Sequence, residues 1–334
     1  MNIVFFEAQN WETRSLKEGL KKHRIVFVKE PLTEKNVSLA KSAEIVGVFV
    51  ESKVNKKILS KLSGTKLIVT RSTGYDHIDI KTCRKRRIKV CNVPSYGENT
   101  VAEHTFALIL ALSRKIYKSQ LKIANKDYSL EGLKGFDLED KTLGVIGVGK
   151  IGRHVIRIGR GFNMKVLAYD HHPDDFMAEQ LNFRYVPFED IIKKSDIITL
   201  HVPYIKQNRH LISKKIFKKM KKGAIIINTS RGEIIDTEAL IWAIENKIVS
   251  AAGLDVIEGE GLLKNEKSLP HEMRKPEHLQ QLAENHILLS KENVVYTPHM
   301  AFYSEEALNR IVKKTIQNIQ DFERKETDGI QFIC

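Results

Sequence analysis

Short runs of Val and Ile, spaced at helix-sized intervals, constrain the fold of this 334-residue chain more than any other feature. Most runs are four to seven residues long and would be apolar on both faces of a strand. Such a pattern is typical of buried parallel strands in βαβ units, so it predicts an α/β protein with two doubly wound sheets. The runs begin at residues 2, 24, 44, 66 and 88, and then at residues 142, 165, 196, 223, 249 and 293.

A mostly apolar segment over residues 97–115 separates the two sets of runs. Thr100 and Glu103 have the spacing of a capping box, which predicts a helix that begins near Thr100 and packs between the domains. After Tyr296 the chain shows only one further helical pattern, from residue 304, and we expect this helix to return to the first domain. The predicted domains are therefore residues 1–99 with 300–334, and residues 100–299.

The composition indicates a folded, basic and soluble protein. Lys and Arg number 55 against 41 Asp and Glu, and the net charge of +14 allows nucleic acid, a membrane surface or acidic small molecules as partners. The basic run at 81–89 has no interleaved aromatic residues, so we expect a solvated helix end rather than a nucleic-acid site. No apolar run reaches the roughly 18 residues that a membrane span needs. Three scattered cysteines and the absence of a signal pattern predict no metal site and a cytoplasmic location.

A dinucleotide-binding turn follows the run at 142. Gly147, Gly149 and Gly152 form a GxGxxG pattern directly after a predicted strand, and Asp170 closes the next predicted strand. These glycines allow a tight turn and close approach of a pyrophosphate, while the carboxylate accepts hydrogen bonds from a ribose. Because a carboxylate at Asp170 would repel a 2′-phosphate, the pattern favours NAD as cofactor and leaves use of NADP open.

Three polar residues follow later predicted strands, namely Arg231, Glu260 and His299. Ligands of doubly wound folds bind at the carboxyl ends of strands. An Arg can hold a carboxylate with two hydrogen bonds, and a His beside a carboxylate can exchange a proton near neutral pH. Each residue alone could be a surface charge, but together they are the groups needed to reduce a 2-keto acid.

The order of the motifs resembles that of the D-isomer-specific 2-hydroxyacid dehydrogenases. The resemblance extends from the first strand to beyond residue 303, and is greatest to NAD-dependent members that act on D-lactate. It is carried by the strings RSTGYDHID, VPSYGENTVAEHTFALILALSRK, TLGVIGVGKIG, HVPYIKQNRHLI, INTSRG, GLDVIEGE and TPHMAFY.

This resemblance implies a flavodoxin-like substrate domain and a Rossmann NAD-binding domain with a cleft between them. It implies that pyruvate, NADH and a proton give D-lactate and NAD. In the family pattern Arg231 binds the substrate carboxylate, His299 is the acid/base, and Glu260 orients and charges His299. A homodimer is implied as well, with the long helix from Glu98 as a candidate interface.

The resemblance also assigns contacts to the two small molecules. The backbone of Thr73 and Gly74, together with Tyr96 and Phe302 or Tyr303, is implied for the substrate. The implied cofactor contacts, besides the three glycines and Arg231, are Lys150 and Ile151 at the pyrophosphate, Asp170 at the adenosine ribose, Val202, Pro203 and Asn208 along the cleft, and Thr229, Ser230 and Asp255 near the nicotinamide.

Some alternatives stay open at this stage. Pyruvate, hydroxypyruvate, phenylpyruvate and branched keto acids are all compatible with the sequence, because one methylene changes binding by only about 1 to 3 kcal/mol. The charged segment 261–292 is interpreted as a solvated surface loop rather than a lid. An NAD-responsive scaffold, resembling corepressors with the same fold, is the alternative to an enzyme, although such a scaffold would not need Arg231, Glu260 and His299.

Overall fold

The computed structural model describes residues 1–264, 266, 275–325, 330 and 332–334. The chain forms two compact units. The terminal unit comprises Met1–Gly97 and Tyr303–Cys334, and the central unit comprises Glu98–Phe302.

Strands and helices alternate along most of the chain. In chain order the strands are β1 (Asn2–Phe5), β2 (Arg24–Phe27), β3 (Ile45–Val48), β4 (Leu67–Thr70), β5 (Lys89–Cys91), β6 (Thr142–Ile146), β7 (Lys165–Tyr169), β8 (Arg184–Tyr185), β9 (Ile197–Leu200), β10 (Ala224–Asn228), β11 (Val249–Leu254) and β12 (Val294–Tyr296). The α-helices are α1 (Asn10–Gly19), α2 (Lys56–Lys61), α3 (Ile80–Lys85), α4 (Glu98–Ser113), α5 (Ile116–Ala124), α6 (Lys150–Gly161), α7 (Asp175–Gln180), α8 (Phe188–Lys194), α9 (Lys214–Phe217), α10 (Thr237–Glu245), α11 (Glu260–Lys264), α12 (Pro276–Leu289) and α13 (Glu305–Arg324). Short 3₁₀ helices lie at Val37–Ala40, Lys206–Asn208 and Gly232–Ile234.

Each unit contains one parallel sheet, which confirms the predicted fold class. The terminal sheet has the order β2-β1-β3-β4-β5, the doubly wound order of flavodoxin-like folds. The central sheet has the order β12-β11-β10-β9-β6-β7-β8, the Rossmann order with one added strand. All eleven predicted strands are present. The two-residue edge strand β8 was missed because it is too short to show a periodic pattern.

Both faces of each sheet are covered, so successive residues of one strand enter different cores. In the terminal sheet, Val4, Val46 and Ile68 belong to one buried cluster, and Ile3, Ile45 and Leu67 to another. Helix α13 packs against α1 and β4 of the same unit. This two-sided burial explains why the strands are continuously apolar rather than alternating.

The prediction that Thr100 caps a helix was wrong. Helix α4 begins at Glu98, so Thr100 lies inside its first turn. Its side chain is buried. The apolar residues of α4 pack within the central unit, mainly against α6 and β11.

The interpretation of 261–292 as a surface loop was wrong for the parts that α11 and α12 occupy. Proline stands in the first turn of α12, where its missing N–H costs nothing. Leu282 and Leu288 are buried, and the buried amide of Asn285 donates to the carbonyl oxygen of Glu258 at 2.9 Å. Charged and polar residues at most other positions of α12 hid the helical spacing. Residues 265 and 267–274 of this segment lie outside the described residues.

The basic run lies where the sequence analysis expects it. It covers the last turn of α3 and the turn into β5, and residues 84–87 are exposed. Within the part of the chain that the structure describes, no helix is long and apolar enough to cross a membrane.

Candidate active site

The glycine-rich turn joins β6 to α6, and two of its glycines are required by its shape. Gly147 has a φ of +96°, and a Cβ there would lie 2.5 Å from the carbonyl oxygen of His201. A Cβ on Gly152 would overlap the carbonyl oxygen of Gly147. A larger residue at either position would displace the backbone, so these glycines set the close packing of α6 on β6.

Gly149 differs from its two neighbours, because a Cβ added there would meet no atom within 4 Å. Its φ of −69° suits any residue, so backbone conformation does not demand glycine here. Lys150 and Ile151 open α6, and the first N–H groups of a helix lack acceptors within the helix. The open space and these amides therefore fit the pyrophosphate of a dinucleotide.

Asp170 lies at the carboxyl end of β7 and is half-buried. One carboxylate oxygen accepts from the backbone N–H of Val148 at 2.7 Å, and the other accepts from that of His172 at 2.9 Å. These bonds hold the carboxylate beside the glycine-rich turn. From this position its remaining lone pairs can accept hydrogen bonds from ribose hydroxyls, as in other dinucleotide-binding sites.

Further predicted cofactor contacts lie at the carboxyl ends of β9 and β10. Val202 and Pro203 follow β9, and the Asn208 amide donates to the carbonyl oxygen of Pro203 at 2.9 Å. Thr229 is buried, and its hydroxyl lies 3.0 Å from that of Thr105. Ser230 donates through both its N–H and its hydroxyl to Asn228. These bonds fix the shape of both strand-end loops.

Arg231 follows β10 in a turn that only glycine could complete. A Cβ on Gly232 would overlap the backbone of Ile257 and Glu258 in the loop after β11. The turn of Arg231 is therefore packed directly against the loop that leads to Glu260. The guanidinium of Arg231 donates to the carbonyl oxygen of Ser230 at 2.8 Å.

His299 and Glu260 form a hydrogen-bonded pair. His299 Nδ1 lies 2.7 Å from Glu260 Oε1, and each side chain is about a quarter exposed. His299 has a φ of +56°, and its N–H donates to the carbonyl oxygen of Asp255 at 2.9 Å. Because Nδ1 faces the carboxylate, the ring is oriented and Nε2 is the nitrogen that can serve a reactant.

Asp255 organises the backbone around this pair. It is 1% exposed and accepts from the N–H groups of Met300 and Ala301, both at 2.9 Å. It also accepts from the Thr297 hydroxyl at 2.6 Å. Burial pushes the pKa of Asp255 upward, but the hydrogen bonds from His104, Thr297 and the two N–H groups outweigh it and lower the pKa overall. The ionised carboxylate therefore holds the loop that carries His299.

The nearby Tyr296 phenol is unsuited to proton transfer at neutral pH. Burial raises its pKa to about 12, with the negative charges of Glu260 and Asp255 adding to the effect. His299 is thus the better acid/base candidate at this edge of the sheet.

The predicted substrate residues divide between the units. Phe302 is half-buried and ends the central unit. Thr73, Gly74 and Tyr96 belong to the terminal unit. There, Asn92 donates to the carbonyl oxygen of Thr73 at 2.7 Å, and the carbonyl oxygen of Tyr96 accepts from Arg310 at 2.5 Å.

His104 and Thr297 complete the Asp255 network, and neither was predicted from the sequence. His104 Nε2 lies 2.9 Å from the Thr297 hydroxyl and 3.4 Å from Asp255 Oδ1. In the sequence, His104 is visible only as an ionisable ring inside the apolar stretch of α4. Thr297 is visible only as a hydroxyl residue two positions before His299. Neither signal identifies its partner without the fold.

Known proteins are similar to this chain in sequence. A family model described as D-isomer specific 2-hydroxyacid dehydrogenase, NAD binding domain, matches residues 106–301. The D-lactate dehydrogenase of Escherichia coli is 37% identical over 299 residues, covering 89% of this chain and 88% of that protein. An aromatic 2-oxoacid reductase of Clostridium sporogenes is 35% identical over 340 aligned positions, covering 100% of both chains.

A solved structure is similar over nearly the whole chain. The structure of D-lactate dehydrogenase from Aquifex aeolicus, complexed with NAD and lactic acid, has a TM-score of 0.89 and 34% identity, and covers 99% of each chain. NAD is accordingly the cofactor that the glycine-rich turn and Asp170 fit.

Proposed function

The chain belongs to the D-isomer-specific 2-hydroxyacid dehydrogenase family and uses NAD, and we propose that its preferred reaction is the reduction of pyruvate to D-lactate. The observation that carries the proposed chemistry is the contact of 2.7 Å between His299 and Glu260, at the carboxyl end of the sheet that also bears the glycine-rich turn. Similarity to D-lactate dehydrogenases supports pyruvate as the substrate.

In this proposal His299 supplies the proton. Bound NADH would supply a hydride to the carbonyl carbon of the keto acid, and the π electron pair of that carbonyl would move to its oxygen. That oxygen takes the proton from Nε2 of protonated His299, which becomes neutral and recovers a proton from solvent. Glu260 accepts from Nδ1–H and stabilises the positive charge on the ring before transfer. In the oxidative direction the same nitrogen takes the proton back.

We assign Arg231, and the backbone N–H groups of Thr73 and Gly74, to binding of the substrate carboxylate. The Arg guanidinium is always charged and can form two parallel hydrogen bonds with a carboxylate. The N–H groups of Thr73 and Gly74 donate to no acceptor among the residues that the structure describes. Unpaired amides at the end of a strand are suited to an anion, which supports their proposed role as further donors.

The test is a panel of keto acids with NADH. Purified protein is given pyruvate, hydroxypyruvate, phenylpyruvate or a branched keto acid, NADH oxidation is followed, and the product is assigned by chiral chromatography. We expect the highest kcat/KM with pyruvate and D-lactate as product. A higher kcat/KM with phenylpyruvate would contradict the pyruvate assignment, and L-lactate would contradict the reaction. NADH binding without turnover of any acid would favour the scaffold function.

A matched pair of variants assigns the proton donor. His210 Nε2 lies 2.8 Å from Glu258 in the same unit, so it is a comparable His–Glu pair. We expect His299→Asn to lose most turnover of the keto acid and His210→Asn to retain most of it. Equal losses in the two variants would argue against a specific role of His299.

We also propose a homodimer, with a surface different from the predicted α4. Helix α5 buries no residue, and its apolar side chains Ile116, Tyr117, Leu121 and Ile123 are about half exposed. An isolated nine-residue helix is marginal in water, so a covering surface would stabilise it. Light scattering should give twice the monomer mass for the wild type and the monomer mass for Tyr117→Glu with Leu121→Glu. A monomeric wild type would contradict this.

A further inference from the structure

Three ionisable side chains are almost fully buried at one edge of the terminal sheet. Glu7, Glu12 and Arg71 are 5%, 0% and 2% exposed, and follow the ends of β1 and β4. Between β1 and β4 lies β3, so the three strand ends are neighbours. Burying charged groups is costly unless each is paired, so the contacts of these residues need an explanation.

Arg71 links the ends of all three strands. Its Nε lies 2.9 Å from Glu12 Oε2, and its Nη2 donates to the carbonyl oxygens of Phe6 and Glu7 at 2.8 and 3.0 Å. Its backbone N–H donates to Val48 at the end of β3. One side chain and its own amide thus connect the loop after β4 to the segment after β1 and to β3.

Glu7 ties the same segment to the loop after β3. Its carboxylate accepts from the N–H groups of Phe49 and Glu51 at 2.8 and 2.7 Å, and from the N–H and hydroxyl of Ser52. Glu7 itself has a φ of +55°, which is uncommon for a residue with a Cβ. A left-handed Glu held by four donors indicates a loop whose shape is tightly determined.

Arg71 directly begins the loop that carries the two unpaired amides. The Ser72 hydroxyl donates to the carbonyl oxygen of Gly74 at 2.7 Å, and the Thr73 hydroxyl donates to that of Val93 at 3.0 Å. With Asn92 on the Thr73 carbonyl, these bonds turn the carbonyl groups inward to the protein and leave the N–H groups as donors. The position of those donors therefore depends on where Arg71 is held.

Stability alone explains this ion pair poorly. Arg71 Nη1 is buried without a hydrogen-bond partner in the described part of the chain. Burial raises the pKa of Glu12, even though the charge of Arg71 lowers it. A buried pair of this kind can often be replaced by apolar residues without loss of stability, so a contribution to stability does not by itself account for it.

We propose that the Arg71–Glu12 ion pair is a positioning device, which fixes the Thr73 and Gly74 amides as donors to the substrate carboxylate. The inference rests on the proposed function, since it assumes that these amides bind a keto acid. Arg71 and Glu12 are buried behind the loop and do not touch the substrate in this account. Their loss should weaken substrate binding while sparing NADH binding and the chemical step.

The test compares two carboxylates of the same helix. Glu12→Gln removes the buried partner of Arg71, and Glu18→Gln removes the exposed partner of Arg14. We expect Glu12→Gln to raise the KM for pyruvate by about tenfold, since small misplacements of binding groups are costly, with kcat and the Kd of NADH little changed. Glu18→Gln should leave all three constants unchanged. A lower Tm in Glu12→Gln with an unaltered KM would overturn the proposal.

A second readout does not depend on activity. Hydrogen exchange of the backbone N–H groups in residues 71–76, measured without ligands, should be faster in Glu12→Gln than in Glu18→Gln. Equal exchange would overturn the positioning role, even if the wild type reduced no keto acid and the proposed function had failed. If Glu12→Gln does not fold, Arg71→Lys, which keeps the charge but loses the bonds to Phe6 and Glu7, is tested with the same two readouts.

Discussion

Both units place ionisable side chains at the carboxyl ends of parallel strands, but they bury these side chains to different degrees. In the central unit, His299 and Glu260 keep about a quarter of their surface exposed, which the proposed proton exchange with a reactant requires. In the terminal unit, Glu7, Glu12 and Arg71 are almost entirely buried. In the proposed function, side chains at this topological position act directly in one unit, whereas in the other unit buried side chains position backbone N–H groups.

The largest expected effect is on the exposed pair. His299→Asn should lower kcat by about 10² to 10⁴-fold, because general acid catalysis contributes that much, and should leave the Kd of NADH unchanged. Stopped-flow kinetics and fluorescence titration measure the two quantities. A lost NADH affinity would place His299 in cofactor binding instead, and would remove the contrast between the two units.

Arg231→Lys tests whether the planar shape of the guanidinium, and not only its positive charge, is needed in the central unit. Lysine keeps the charge but replaces the planar fork with a single point, so we expect the kcat/KM for pyruvate to fall by about 10 to 100-fold, the value of one hydrogen bond to a charged group. Full activity of this variant in the NADH oxidation assay would refute the anchoring role of Arg231.

Local patterns made the fold predictable from sequence. Continuous Val and Ile runs can be buried only between two helical layers, and the strands β1 to β7 and β9 to β12 follow from them. The GxGxxG spacing placed a turn between β6 and α6 because Gly147 and Gly152 meet backbone atoms that no side chain could avoid. The start of α4 and the helix α12 were not predicted, because charged and polar residues masked the packing positions there.

Contacts between distant segments were not predictable. Glu12 and Arg71 are 59 positions apart in the sequence, and each is an ordinary charged residue until the fold brings them within 2.9 Å. His104 joins Asp255 from 151 positions away in the sequence, and Thr297 from 42 positions away. A sequence alone shows which residue types could take part in catalysis. Burial and hydrogen-bond partners in the folded protein decide which of them position other groups.

Two glycines of the same turn should respond differently to alanine. Gly149→Ala has room for its methyl group, so we expect an unchanged Tm and an NADH Kd raised by about tenfold, because the methyl group occupies the space of the pyrophosphate. Gly147→Ala should lower the Tm, because of its positive φ and the contact with His201. Calorimetry and NADH titration of both variants check this, and unaltered NADH binding in Gly149→Ala would contradict the placement of the cofactor.

The smallest effect concerns acid stability. The folded state lowers the pKa of Asp255 below its usual 3.8, so its ionised form stabilises the protein above that pH and this contribution is lost as the pH falls through the folded value. We expect the Tm of the wild type to fall by a few degrees more than that of Asp255→Asn between about pH 6 and pH 3. Parallel curves for the two proteins would show that Asp255 is not ionised more readily in the folded state.

The comparison between the units is tested most directly by steady-state kinetics of His299→Asn and Glu12→Gln, measured with pyruvate and NADH beside the wild type. We expect a collapse of kcat in the first variant and a raised KM with retained kcat in the second. A kcat for Glu12→Gln as low as that for His299→Asn, with an unchanged KM, would contradict it.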